Sequence, residues 1–515
     1  MRHLTSLTAL VALSTLAACG GYGGLPGMPS RSYANVGGAH PTSAPPPPQP
    51  TAIAQADMPA PSTERFKDYG VNPVVDASKD HLSTFAVDVD TASYAIARRK
   101  IQEGSLPPFQ AVRAEEFLNY FEYAYPAPEK GTFAVTSTAA PSPFAEGHHL
   151  VRVAVQARRV PDAQRKPVHL VYLVDVSGSM NGPDRIELAK KSLKLLTGSL
   201  RPGDTVALST YAGHVREVLA PTGIEHKERI LSAIDDLTAG GSTAMASGID
   251  LAYRLAEKTL VPGHVNHVVI LSDGDANVGT ASHEEILKTI AAHKKQGITL
   301  STIGFGSGNY QDVMMEQLAD KGDGNYRYID SEREARRVFG KQVSGMLEAV
   351  ARDAKIQVDF DPKVVKEYRL IGYENRDVAD KDFRNDKVDG GEVGSGHSVT
   401  AVYDVVLVRT DASPLTVRIR AKSASGQGEA AESAFEMKAG DIAASFAKTS
   451  DDFRFAAAVT GFAEVLRKSP HAGGVKLAEV EKMADEASAG RDDRQEFVGL
   501  VRAARKLADR AEVAR

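Results

Sequence analysis

The stretch 171–180, Val-Tyr-Leu-Val-Asp-Val-Ser-Gly-Ser-Met, constrains the fold of this chain most. Four apolar residues run without a charge into Asp175. Such a run predicts a central strand buried on both faces, as in a parallel sheet covered by helices. Side-chain oxygens then stand at alternate positions, on Asp175, Ser177 and Ser179. Alternate residues of an extended or turning chain point the same way, so all three can meet one cation.

Around this stretch, residues 166–345 alternate strand and helix. Strands are expected at 168–174, 205–211, 267–271, 298–305 and 326–329. Helices are expected at 185–200, 226–237, 246–260, 283–296 and 311–321. The alternation implies an α/β fold with a central, doubly wound, mostly parallel sheet and helices on both faces. Ligands of such sheets bind beyond the carboxyl ends of the strands. Asp175 and Asp273 both fall just past a strand end.

Two further segments supply suitable oxygens. Gly240-Gly241-Ser242-Thr243 offers the Thr243 hydroxyl, with glycines that let backbone approach. Leu271-Ser272-Asp273-Gly274 offers the Asp273 carboxylate. The expected metal ligands are therefore Asp175, Ser177, Ser179, Thr243 and Asp273. All are hard oxygen donors with no Cys or His pattern beside them. They favour a divalent cation, Mg²⁺ first and Ca²⁺ or Mn²⁺ next, over Zn²⁺. Octahedral Mg²⁺ keeps several waters. A partner's carboxylate can displace one of them, which would make the metal a bridge between proteins.

This order of residues resembles the metal-ion-dependent adhesion site of the von Willebrand factor type A domain. Three further motifs resemble a bacterial lipoprotein subgroup: Phe85-Ala-Val-Asp-Val-Asp-Thr-Ala-Ser-Tyr94, Gly304-Phe-Gly-Ser-Gly-Asn-Tyr310 and Tyr368-Arg-Leu-Ile-Gly-Tyr-Glu-Asn375. The subgroup flanks its A domain with a characteristic N-terminal segment and a C-terminal domain of unknown function. The resemblance covers roughly residues 65–510. It implies the fold and the metal site, not a reaction.

The N-terminus points to export. Met1-Arg2-His3 begins it, and residues 4–18 are apolar but too short for a permanent membrane span. Leu16-Ala17-Ala18-Cys19-Gly20 then carries the chain's one cysteine, so no internal disulfide can form. Small residues before Cys19 resemble a lipoprotein signal, with residues 1–18 removed and Cys19 lipidated. An ordinary secretory signal with an incidental cysteine is the other reading. A lipidated Cys19 would tie the protein to a membrane by acyl chains. Gly20 leans towards the outer membrane and periplasm of a Gram-negative envelope. Residues 19–64 are rich in Gly, Pro and Ala and read as a disordered tether. As a coil it spans roughly 35–40 Å.

A chain of 515 residues is too long for one core. Residues 65–165 read as an N-terminal α+β region, 346–440 as a C-terminal β domain and 441–515 as a terminal helical segment. Asp88-x-Asp90 could be mistaken for a calcium loop, but the glycine of such a loop is absent and Arg99 stands where its glutamate belongs. The pair is expected to be structural. The net charge of -5 gives no reason to expect nucleic-acid binding.

Three functions compete. The first is a lipid-anchored, metal-dependent binding protein whose partner is a protein presenting an acidic residue. The second is an envelope scaffold in which the metal only stabilises the fold. The third is a metal-assisted hydrolase. No nucleophile elbow surrounds Ser177 or Ser179, and no phosphate loop is present. His214 or His267 would have to serve as base, and neither has a motif around it. The expectation is therefore no enzyme and no catalytic residue.

Overall fold

The computed structural model describes residues 62–274, 282–426 and 428–513. The expected signal peptide, Cys19 and most of the tether lie outside the described residues.

The central sheet has six strands, in the order Tyr326–Tyr328, Ile298–Gly304, Val265–Ser272, Val168–Asp175, Thr205–Tyr211, Val215–Gly223. The first five run parallel and the sixth is antiparallel. Every residue of Val168–Asp175 is buried. Leu170, Tyr172 and Val174 meet one core with Leu193 and Leu196 of the helix Ile186–Gly198 and Ile230 and Ile234 of Lys227–Asp235. Val171 and Leu173 meet the opposite core with Ile249 of Met245–Glu257, Ile290 of His283–Lys294 and Leu318 of Asp312–Lys321. The pleat sends neighbouring side chains to opposite faces, so an unbroken apolar run suits this strand. Burying each such side chain contributes about 1.5–3 kcal/mol. The doubly wound sheet expected from the sequence is thus present.

The strand Val215–Gly223 was not anticipated. Its alternation is spoiled by Arg216, Glu217 and Pro221. All three are tolerable because the strand lies at the sheet's edge, where charges and a missing N–H cost little.

Strands from both sides of the central domain combine into two antiparallel sheets. The first has the order Val75–Asp76, Val365–Ile371, Ser398–Leu407, His149–Ala157, Phe133–Pro141. The second has the order Gly391–Gly394, Ala349–Phe360, Leu415–Ser423, Ala431–Glu436, and Leu82–Ala86 also pairs with Ala349–Phe360. Val151, Val153 and Val155 of the first sheet share a core with Phe85, Ile356, Val358 and Val417 of the second. The expected regions 65–165 and 346–440 therefore interleave. Two-stranded pieces with one apolar face cannot stand alone in water. The terminal helices Asp451–Leu466, Leu477–Glu486 and Asp492–Val513 likewise share a core with Ala92–Gln102 and Ala114–Tyr120, built around Tyr94, Phe121, Phe455 and Phe497.

Asp88 and Asp90 lie buried beyond the end of Leu82–Ala86. Arg376 donates to Asp88 at 3.0 Å and to Asp90 at 3.2 Å, and the Tyr326 N–H donates to Asp90 at 2.8 Å. The pair joins the N-terminal strands to the central sheet and the C-terminal region. These contacts give it the structural role expected.

One core histidine makes stability depend on pH. His267, in Val265–Ser272, lies 2.6 Å from Thr299 Oγ1 through Nδ1 and 3.0 Å from Ser301 Oγ through Nε2. Burial, and then the charge of Arg352, push its pKa down to about 4. In the unfolded chain it titrates near 6.5. Its contribution is therefore complete above about pH 6.5 and is lost as pH falls towards 4, up to about 3 kcal/mol. Urea midpoints measured across that window should fall for the wild type and fall less for His267→Gln. Parallel slopes in the two proteins would refute the assignment.

Candidate metal site

Asp175 ends the strand Val168–Asp175, and Asp273 follows the strand Val265–Ser272. These strands are parallel neighbours with Val174 opposite Leu271, so both carboxylates stand at the same sheet end. Asp175 is fully buried. Its Oδ1 accepts the Ser177 N–H at 2.9 Å, and its Oδ2 accepts the Ser272 hydroxyl at 2.8 Å. The chain then tightens into the short 3₁₀ turn Gly178–Met180, anchored by buried Met180. The turn leaves the Ser177 and Ser179 hydroxyl oxygens 2.9 Å apart.

Backbone bonds join the second segment to the first. The Gly178 N–H donates to the Gly241 carbonyl at 2.9 Å, and the Gly240 N–H donates to the Val176 carbonyl at 2.7 Å. A Cβ on Gly178 would meet that Gly241 carbonyl at 3.4 Å, and Gly241 has φ +93°. This conformation is natural only for glycine. Thr243 is half-buried two residues further on, just before the helix Met245–Glu257. It has no side-chain hydrogen bond among the described residues. The structure thus brings the segments of all five expected ligands to one sheet end. Direct side-chain bonds link Ser177 to Ser179.

Asp273 is also fully buried, and Asn309 Nδ2 donates to its Oδ2 at 3.1 Å. Asn309 belongs to the loop 305–311, which residues 62–66 hold in place. The Arg65 N–H donates to the Tyr310 carbonyl at 3.0 Å, and the Gly308 N–H donates to Glu64 Oε1 at 3.0 Å. Glu64 is fixed in turn by Arg99 at 2.7 Å and Lys100 at 2.5 Å. Ser272 and Asn309 bond the two carboxylates, and spacing alone does not single them out. Asn309 lies inside the Gly304–Tyr310 motif, but its contact with Asp273 is tertiary.

Asp175 has no ion pair with Lys, Arg or His among the described residues. Burial first, with the charge of Asp273 adding, pushes its pKa up to about 6, against hydrogen bonds from Ser177 and Ser272. The Tyr211 hydroxyl is buried beside Asp175 and Ser272, and burial, with the charge of Asp175, keeps it neutral. A divalent cation fits this pair of carboxylates and their neighbouring hydroxyls. No cluster of three or more His, Cys, Asp or Glu suited to a metal occurs among the described residues. The side chains expected as donors carry oxygen rather than nitrogen or sulfur, a set suited to a hard ion.

Neither histidine considered as a base forms a hydrogen bond or ion pair with Asp175 among the described residues. His267 stands five residues before Ser272, about 16 Å along the strand, with both ring nitrogens engaged. His214 is exposed in the turn after Tyr211. No helix among the described residues is long and apolar enough to cross a membrane.

Three family descriptions match the chain: von Willebrand factor at residues 60–152, von Willebrand factor type A domain at 169–341, and the C-terminal part of the uncharacterized protein YfbK at 345–436 and 413–507. The uncharacterized protein YfbK of Escherichia coli is 35% identical over 474 residues, covering 87% of this chain and 82% of that protein. An uncharacterized protein of Synechocystis sp. is 28% identical over 232 residues, covering 44% of this chain and 54% of its own length. A solved von Willebrand factor type A protein from Catenulispora acidiphila is 16% identical, with a TM-score of 0.45. It covers 74% of this chain and 91% of that one.

Two variants test the site. Mg²⁺ at about 100 times its dissociation constant should stabilise the metal-free protein by roughly 2.7 kcal/mol. Asp175→Ala should abolish that gain. Asn309→Ala, which removes one hydrogen bond that orients Asp273, should weaken Mg²⁺ binding by about tenfold or more. Equal thermal shifts in all three proteins would place the metal elsewhere.

Proposed function

The chain belongs to the same family as YfbK of Escherichia coli and carries a von Willebrand factor type A domain, and from that premise we propose that it is an exported, lipid-anchored binding protein that grips a protein partner through a divalent cation. The observation that carries the reading is the buried Asp175 carboxylate, which has no cationic partner among the described residues and feels the charge of Asp273. In this reading Asp175, Ser177, Ser179, Thr243 and Asp273 hold the cation, with Mg²⁺ the first candidate. When bound, such an ion offers a coordination position to an acidic side chain of the partner.

The chain's own residues prepare that position. Ser272 and the Ser177 amide orient Asp175, and Asn309 orients Asp273. The hydroxyls of Ser177, Ser179 and Thr243 add ligands without adding charge, so two carboxylates balance the ion and a third, from the partner, is still attracted. Lipidated Cys19 and the tether 19–64 would hold this surface off the membrane, on the periplasmic side of the outer membrane in a Gram-negative envelope. No residue is assigned a catalytic role.

A scaffold reading has one observation in its favour: the regions beside the central domain share sheets and cores. Affinity capture from envelope extract separates the two. Partners should be retained by wild type with Mg²⁺, released by EDTA, and absent with Asp175→Ala. Retention by Asp175→Ala in EDTA would favour the scaffold. Cys19→Ala should move the protein from the membrane fraction to the soluble one. An unchanged distribution would reject the lipid anchor.

A further inference from the structure

A cavity of about 350 Å³ opens between the strands beside the central domain and the end of that domain, lined in part by Tyr125, Arg159, Arg327, His397 and Ser398. None of the five metal-site residues lines it. Arg327 comes from the edge strand Tyr326–Tyr328 and is only 6% exposed. Its one hydrogen bond among the described residues runs from Nη1 to the Thr91 hydroxyl, at 2.7 Å, and it forms no ion pair among them. Arg337 Nη2 donates to the same hydroxyl at 3.3 Å.

Most neighbouring arginines are held by carboxylates, whereas Arg152, also without an ion pair among the described residues, lies over the rings of Tyr125 and Phe453. Arg98 sits on Asp330, Arg113 on Asp312 and Arg376 on Asp88. Arg337 is balanced by Glu334. Arg327 instead shares a neutral oxygen with a second guanidinium. The nearby Asp90 carboxylate is taken up by the Tyr326 amide and Arg376. Burial lowers the Arg327 pKa, and the charge of Arg337 lowers it further against the pull of Asp90. A buried guanidinium held this way lacks the bidentate acceptor its geometry suits.

The remaining lining is compatible with an anion. His397 is half-buried, its Nδ1 accepting the Gly394 N–H at 3.2 Å. Burial, then Arg327, push its pKa down to about 3. Arg159 is exposed at the lining, and Glu122, also exposed, is the one carboxylate there.

We propose that this cavity is a second binding site, for a small ligand bearing a carboxylate or phosphate group, with Arg327 and Arg159 as the anion contacts. The volume admits a metabolite-sized molecule rather than a macromolecular segment. The site is independent of the metal reading, because no side chain is common to both.

The test uses the full chain, stripped of divalent ions and then freed of chelator. Inorganic phosphate and succinate are titrated separately, by calorimetry and by thermal unfolding. At least one probe should bind and raise the melting temperature, and the probe that binds tells phosphate from carboxylate chemistry. Arg327→Gln should weaken that binding by about tenfold or more, the effect of losing a hydrogen bond to a charged group. Arg159→Ala, an exposed change that leaves folding intact, should weaken it severalfold. Without a probe, Arg327→Gln should melt no lower than wild type, because it removes a buried charge that forms no ion pair among the described residues. The proposal is overturned if neither probe binds, or if binding is equal in wild type and both variants. A lower melting temperature of Arg327→Gln with unchanged probe binding also overturns it.

Discussion

The parallel pairing of Val168–Asp175 with Val265–Ser272 is the constraint on which the site depends. It carries Asp175 and Asp273 out of water at one sheet end, where each is fully buried. A buried carboxylate is costly unless it is paired, hydrogen-bonded or neutralised. Asp175 receives hydrogen bonds from Ser177 and Ser272, and these do not restore its ordinary pKa. The sheet therefore holds the Asp175 carboxylate buried without a cationic partner among the described residues, and the hydroxyls around it are of the kind a hard cation takes.

The same sheet end is braced by distant parts of the chain. Residues 62–66 lie against the loop that carries Asn309, and Asn309 bonds Asp273. Arg113, on the N-terminal side, pairs with Asp312 at the start of the helix that follows this loop. Arg376, from the C-terminal side, pairs with Asp320 at the far end of that helix, at 2.7 Å. Changes at the site can thus reach both flanking regions through fixed side-chain contacts rather than through loose linkers.

The central domain was legible because its strands are buried on both faces and its helices are punctuated by Gly and Pro. The strand Thr205–Tyr211 has the expected bounds, and Val168–Asp175 runs one residue further than expected. The five oxygen-bearing residues proposed as ligands stand out in the sequence by type and by their spacing around strand ends. Less legible were features set by tertiary contact. Charges and a proline in Val215–Gly223 hid an edge strand. Nothing local in residues 133–157 indicates that they pair with residues 398–407 rather than with each other alone. Asn309 and Ser272 act through neighbours distant in sequence. That Arg327 is buried without an ion pair among the described residues is visible only once its surroundings are known.

The central claim is that Asp175, Ser177, Ser179, Thr243 and Asp273 together hold one divalent cation. Electron paramagnetic resonance of Mn²⁺ titrated into the metal-free chain addresses it directly, because free and bound Mn²⁺ give distinct signals. The account predicts one saturable Mn²⁺ site per chain, displaced by Mg²⁺, weakened in Thr243→Ala and lost in Asp273→Ala. A chain that leaves the free Mn²⁺ signal intact, or binds it equally after Asp273→Ala, would contradict the account.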